Sequence, residues 1–188
     1  MNFLKSALLG TALALSALAA QAQTTTFNFS YSFDPNNTGN GAPVNITGSF
    51  SGIEIGNLIS SISDITLSIN GIQFTGPIVV EAADAGGNWS SSVAPVISTD
   101  VGLANFVFAD ADVANHPEAV NNFFYISGGQ VFALDFNVTD AGNNPLQGYE
   151  TAANASWTVS PVPEPATWAL MAAGIGLVVL RRGRSQQA

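Results

Sequence analysis

The sequence predicts an all-β protein: a β-sandwich or jelly-roll-like ectodomain of about nine or ten short strands, flanked by an N-terminal signal helix and a C-terminal single transmembrane helix. Three observations carry this. Apolar residues alternate with Ser, Thr and Asn along much of the chain, and a period of two marks strands with one buried and one wet face. Clusters of Gly, Asn and Pro separate the alternating runs, as turns require. Between 23 and 160 no long helical period and no fixed repeat occurs, which argues against a β-helix or a propeller.

The first segment, residues 1–22, has the layout of a secretory signal peptide. Lys5 is the positive start, Ala7 to Ala20 the apolar centre, and Ala20-Gln21-Ala22 a small-x-small cleavage site. Signal peptidase cutting after Ala22 leaves Gln23 as the new N-terminus. Residues 23–160 then form the β-rich domain. Phe27, Phe29, Tyr31 and Phe33 alternate with polar residues, and the Asp34 to Pro43 run is a loop. Val44, Ile46 and Phe50 resume the alternation, with Gly48 at one inward position. Ile65, Leu67 and Ile69 follow, and Asn70-Gly71 joins them to Ile72-Gln73-Phe74-Thr75. Asn-Gly suits a hairpin because both turn residues take positive φ.

Ile78-Val79-Val80, the Val93 to Ser98 segment and Phe106-Val107-Phe108 read as further strands. Asp110 to Asn121 breaks the pattern and has room for one helical turn capped by Asp110 or Asp112, its length limited by Pro117. Phe123 to Ile126, Gly128-Gly129, and the alternating set Phe132, Leu134, Phe136 and Val138 form a second hairpin. The run from Asp140 to Pro145 is a loop. Ala153, Ala155, Trp157 and Val159 complete the last strand.

Residues 161–188 are a different kind of segment. Pro161, Pro163 and Pro165 keep the backbone extended. The uncharged run 166–180 makes a helix of about 22 Å, short of the roughly 30 Å hydrocarbon core of a bilayer. Arg181, Arg182 and Arg184 follow and stay cytoplasmic by the positive-inside rule, which puts the domain outside. The order Val162-Pro163-Glu164-Pro165-Ala166-Thr167-Trp168-Ala169-Leu170, then the apolar span, then the arginines, resembles the PEP-CTERM sorting signal of bacterial exosortase substrates.

The resemblance covers 162–184. It implies handover in the membrane to an exosortase, a cysteine transpeptidase-like membrane enzyme. Pro163, Glu164 and Pro165 become the recognised motif, and Arg181, Arg182 and Arg184 the membrane stop. Cleavage near the motif then releases the domain or transfers it to a surface acceptor. It also implies a Gram-negative cell surface rich in exopolysaccharide, flocs or biofilm. It implies nothing about the activity of residues 23–160.

Composition narrows that activity. The chain is 188 residues with four Lys and Arg, 13 Asp and Glu, one His and no Cys. All four basic residues lie outside 23–160, while twelve of the acids lie inside it. So acidic a domain repels nucleic acid and an anionic membrane surface. Nucleophilic catalysis needs a base beside a Ser or Cys, and the single His116, next to Pro117, reads as a loop residue. The chain is therefore expected not to be an enzyme and to hold no organic cofactor. The one metal expectation is calcium on Asp110 and Asp112, hard oxygen ligands of the type it prefers. Trp89, Tyr125 and Tyr149 are candidates for carbohydrate contact, and Trp157 falls on the apolar set of its strand. No Lys guards any strand edge, so pairing with a second copy is a further expectation. The leading functional expectation is a secreted structural or interaction module of the cell surface or extracellular matrix. The alternative is a carbohydrate-binding module for exopolysaccharide.

Overall fold

The computed structural model describes residues 23–39, 41–139, 143–151 and 156–163. The expected signal peptide with Ala22, the span 166–180, and Glu164, Pro165, Arg181, Arg182 and Arg184 lie outside the described residues. Among the described residues no helix is long and apolar enough to cross a membrane.

The strands are β1 (Thr24–Phe33), β2 (Val44–Ile55), β3 (Leu58–Ile69), β4 (Ile72–Gln73), β5 (Val79–Ala83), β6 (Trp89–Ser90), β7 (Ile97–Ser98), β8 (Phe106–Ala109), β9 (Asn122–Ser127), β10 (Gln130–Thr139), β11 (Pro145–Thr151) and β12 (Thr158–Pro161). They form two antiparallel six-stranded sheets. The first has the order β12-β1-β2-β3-β4 with β7 also on β3; the second has the order β11-β10-β9-β8-β5-β6. Twelve strands replace the nine or ten expected. The expected helical turn after Asp110 also shifts: a 3-10 turn spans Pro117–Ala119, and its N-cap His116 makes no side-chain capping bond. Pro at the first position presets φ for that turn.

One apolar core lies between the sheets. Phe29 of β1 touches Phe50 of β2, Phe108 of β8, Phe124 of β9 and Trp157, with ring centroids 5.6–6.3 Å apart. Trp157 is buried as expected, and its indole N–H donates to the Ser98 carbonyl at 2.7 Å, which satisfies the one polar atom such a ring brings inside. The Asn70-Gly71 hairpin has the expected geometry, with φ of 50° and 81°. A second tie crosses the molecule. Tyr31, fully buried, donates its hydroxyl to the Glu150 carboxylate. That carboxylate also accepts from the Asn37 side-chain amide at 2.9 Å and the Asp34 N–H at 3.3 Å.

The edges are protected without lysine. Thr38 bridges to Gly148, and the Gly39 N–H reaches the Gln147 carbonyl at 3.4 Å, so the loop after β1 covers part of the β11 edge. At the opposite sheet, Phe27 pairs with Pro161, and the Val162 N–H donates to the Thr26 carbonyl at 2.8 Å. In an antiparallel ladder the bonded positions alternate. The Pro161 nitrogen therefore faces the free edge, where a missing donor cannot recruit another strand.

Gly48 shows how tightly the core is set. A Cβ there would lie 2.1 Å from the Thr66 carbonyl oxygen and 2.5 Å from the Phe29 ring. Gly48→Ala is expected to lower unfolding stability by about 1–3 kcal/mol, read from urea denaturation of the full chain. An unchanged midpoint would contradict this packing.

Candidate functional site: the aromatic outer face of the second sheet

The outward positions of the second sheet line up across the strands. Glu81 of β5 pairs with Val107 of β8, Val107 with Tyr125 of β9, Tyr125 with Phe132 of β10, and Phe132 with Tyr149 of β11. Directly opposed residues share a face, so these five side chains make one row. Their neighbours along each strand, Ala82, Phe106, Phe124, Ile126, Val131 and Ala133, point into the core and are buried.

The alternating set Phe132, Leu134 and Phe136, which sequence periodicity marks as the apolar face of its strand, thus faces away from the core. Val131 and Ala133 take the inner face instead, and Phe136 is 51% exposed. Volume explains the choice. The core beside β10 already holds Phe29 and Tyr31 of the first sheet and Phe124 of the neighbouring strand β9, and small side chains fit among them.

The three aromatic members of the row, with Trp89 of β6 beside them, form a continuous aromatic strip. Trp89 of β6 lies 5.2 Å from Tyr125, Tyr125 lies 5.9 Å from Phe132, and Phe132 lies 5.8 Å from Tyr149. Phe123 joins from the next register, 5.2 Å from Phe132. Trp89, Tyr125 and Tyr149, three separate candidates in the sequence, therefore belong to one surface. Phe123 and Phe132 complete it. Their signal was present as two adjacent aromatic-rich strands, but a period of two does not say which set faces out.

Three hollows lie along the strip. The central one, about 310 Å³, has Trp89, Val107, Phe123, Tyr125 and Phe132 on the sheet side and Val113, Pro117 and Val120 on the other. The segment between β8 and β9 thus forms a wall over the strip. One flanking hollow adds Gln130 and Ser127 beside Trp89 and Tyr125. The other adds Asn36, Asn37 and Gln147 beside Phe132 and Tyr149. Burial raises the Tyr125 hydroxyl above its ordinary range, with the charge of Tyr149 a smaller cause. It therefore stays a neutral hydrogen-bond donor at physiological pH.

Beneath the wall sits Glu81, 2% exposed. Its Oε2 accepts the Ala114 N–H at 3.0 Å, while no N–H or hydroxyl reaches its buried Oε1. The carboxyl is in hydrogen-bonding contact with Asp112. Burial first, then the Asp112 bond and charge, push it above the usual carboxylate range. The Asn115 side chain and N–H hold Asp112 below that range.

The two carboxylates of the expected calcium pair have separate protein partners. Asp110 accepts from the Asn121 N–H and the Asn122 side chain, while Asp112 accepts from Asn115. Among the described residues no group of three or more His, Cys, Asp or Glu is arranged to hold a metal. His116 is exposed, and its backbone N–H bonds to the Asp112 carbonyl.

On the first sheet the outer face is hydroxylic. Ser30 and Thr158, Thr47 and Ser68, and Ser49 and Thr66 bond to each other across strands at 2.7–2.8 Å. These groups largely satisfy one another, which leaves the aromatic face as the better candidate for a ligand.

At the C-terminal end, Gln23 and Pro163 are exposed. Because β1 and β12 are antiparallel neighbours, the chain enters and leaves the domain side by side. A family model described as the PEP-CTERM protein-sorting motif matches residues 161–185. No curated protein matches the chain, and no solved structure does. The chain thus ends in a PEP-CTERM sorting motif, the mark of an extracellular protein sorted by an exosortase.

Proposed function

We propose that the domain is a cell-surface or extracellular-matrix interaction module that holds neutral polysaccharide on the outer face of its second sheet. The observation that carries this is the aromatic strip in which Tyr125, Phe132 and Tyr149 stand in register and Trp89 packs on Tyr125. A pyranose ring has apolar C–H faces and a rim of hydroxyls. The faces stack on aromatic rings that combine an apolar body with a polar tip, and the hydroxyls pair with nearby amides. Asn36, Asn37 and Gln147 flank one end of the strip, and Gln130 and Ser127 the other. Half-buried rings joined to the exposed Tyr149 on one face make the kind of apolar surface that marks a binding site.

Charge selects among glycans. With no Lys or Arg between 23 and 160 and twelve acids there, uronate or sulfate chains meet repulsion and no cationic partner. Neutral chains do not. The sorting tail accounts for delivery: a precursor tethered in the membrane, processed by an exosortase, becomes an anchor-free domain at the place where exopolysaccharide is found.

Two measurements test this. In affinity electrophoresis of the full chain through neutral glucan and mannan gels, Trp89→Ala or Tyr149→Ala is expected to weaken retardation by about ten-fold or more, equivalent to 1.4 kcal/mol. Thr47→Ala on the opposite face should leave it unchanged. Retardation indifferent to both aromatic variants, or stronger in a polyuronate gel, would overturn the glycan reading. Mass spectrometry of the protein recovered from its native cell surface should find a C-terminus at or near 163–165. A mature protein still ending in Arg184 and beyond would contradict processing.

A further inference from the structure

We propose that residues 110–121 form a flap over the aromatic groove, clasped shut by one proton shared between Glu81 and Asp112, so that pH sets how firmly the glycan is held. This rests on the glycan reading only for its consequence; the clasp itself stands on the geometry around Glu81.

Glu81 points outward from β5, in register with Val107 at the floor of the groove. The flap crosses above it. Ala114 donates its N–H to Glu81 Oε2 at 3.0 Å, and Val113, Pro117 and Val120 of the same segment wall the cavity opposite Trp89 and Tyr125. The remaining oxygen, Oε1, is buried with no donor. A buried carboxylate oxygen without a donor is costly, the more so on a carboxyl that a second one, Asp112, also acts on. A proton on Glu81 removes the cost by turning the clash into an O–H···O bond to Asp112. Asp112 is the better partner to remain ionised, since the Asn115 N–H at 2.7 Å and side-chain amide at 2.9 Å already stabilise its charge. His116 is the other titratable group acting on this pair, through Asp112. The strands beside β5 face Glu81 with none, since β6 is Trp89–Ser90 and β8 is Phe106–Ala109.

The direction follows from linkage. Glu81 in the closed flap holds its proton above its ordinary value of 4.5. The clasp is therefore fully present below that value and is lost as pH rises through the higher closed-state value. In that window each pH unit favours opening by up to about ten-fold. Opening removes one wall of the groove, so glycan retention falls with it.

Hydrogen exchange of the full chain, read at the Ala114 N–H and corrected for intrinsic exchange, tests the clasp directly. Protection in the native protein should fall as pH rises from about 4.5 toward 8. Glu81→Gln keeps an acceptor for Ala114 and places an amide donor toward Asp112, so its protection should stay level. Asp112→Asn, which removes the carboxylate repulsion but leaves Glu81 buried, should make the fall shallower. Identical pH profiles in the native protein and both variants, or no fall in the native protein, would overturn the clasp. Glycan retention measured on the same samples separates the two ideas. A fall in protection without any glycan binding supports the clasp and overturns the glycan reading alone.

Discussion

The constraint on which this structure turns is the lack of any Lys or Arg from 23 to 160. Twelve acids have no long cationic side chain to meet. Each carboxylate that enters the fold must be satisfied by neutral donors or by a proton, because an unpaired buried charge is among the costliest features a protein can contain. Glu150 is met by the Tyr31 hydroxyl, the Asn37 amide and the Asp34 N–H. Asp110 is met by Asn121 and Asn122, and Asp100 by the Gly102 N–H. Backbone N–H groups of Asn88 and Gly86 hold Asp84 below the usual carboxylate range. Acids thus organise loops, with amides and hydroxyls doing what arginine does elsewhere. Glu81, one donor short, is where that arrangement is completed by a proton.

The same constraint shapes the surface. Both outer sheet faces are nearly free of charge, yet they differ. On the first, Ser and Thr hydroxyls pair across strands. On the second, the rings of Tyr125, Phe132 and Tyr149 stand in register and are only partly covered. A face that is apolar yet edged by amides suits a ligand that is itself apolar on its flat sides and hydroxylic at its rim. Negative charge elsewhere on the domain keeps copies apart, while the covered β11 edge and Pro161 at the β12 edge limit strand addition.

Much of the fold was legible because its signals are local. The Phe27 to Phe33 alternation, the Asn70-Gly71 turn and the Gly128-Gly129 turn are all found as sequence chemistry implies. The misses have physical causes. β3 runs back to Leu58, but Ser61 and Asp64 take positive φ and the register with β2 slips between Ser49 and Ile53. Such bulges erase the period of two. β11 leaves no apolar alternation in the sequence because its inward residues are Leu146, Gly148 and Glu150, and a buried carboxylate looks like a surface one until Tyr31 is placed beside it. The candidate site was half legible: Trp89, Tyr125 and Tyr149 stood out individually. Their union through Phe132 depended on which set of β10 faces the core, a matter of volume in the opposite sheet. Local pattern fails where apolar rings are left on the outer face.

The termini place this face in its setting. β1 and β12 bring Gln23 and the first residues of the sorting motif to one edge of the first sheet, while the aromatic strip lies on the outside of the second. The most direct test is an NMR titration of the protein with a neutral oligosaccharide. Ring signals of Trp89, Tyr125, Phe132 and Tyr149 should shift together in a saturable way, with Thr47, Thr66 and Thr158 unmoved. Shifts confined to the hydroxylic face, or none with any neutral glycan, would contradict the assignment of the second sheet as the binding surface.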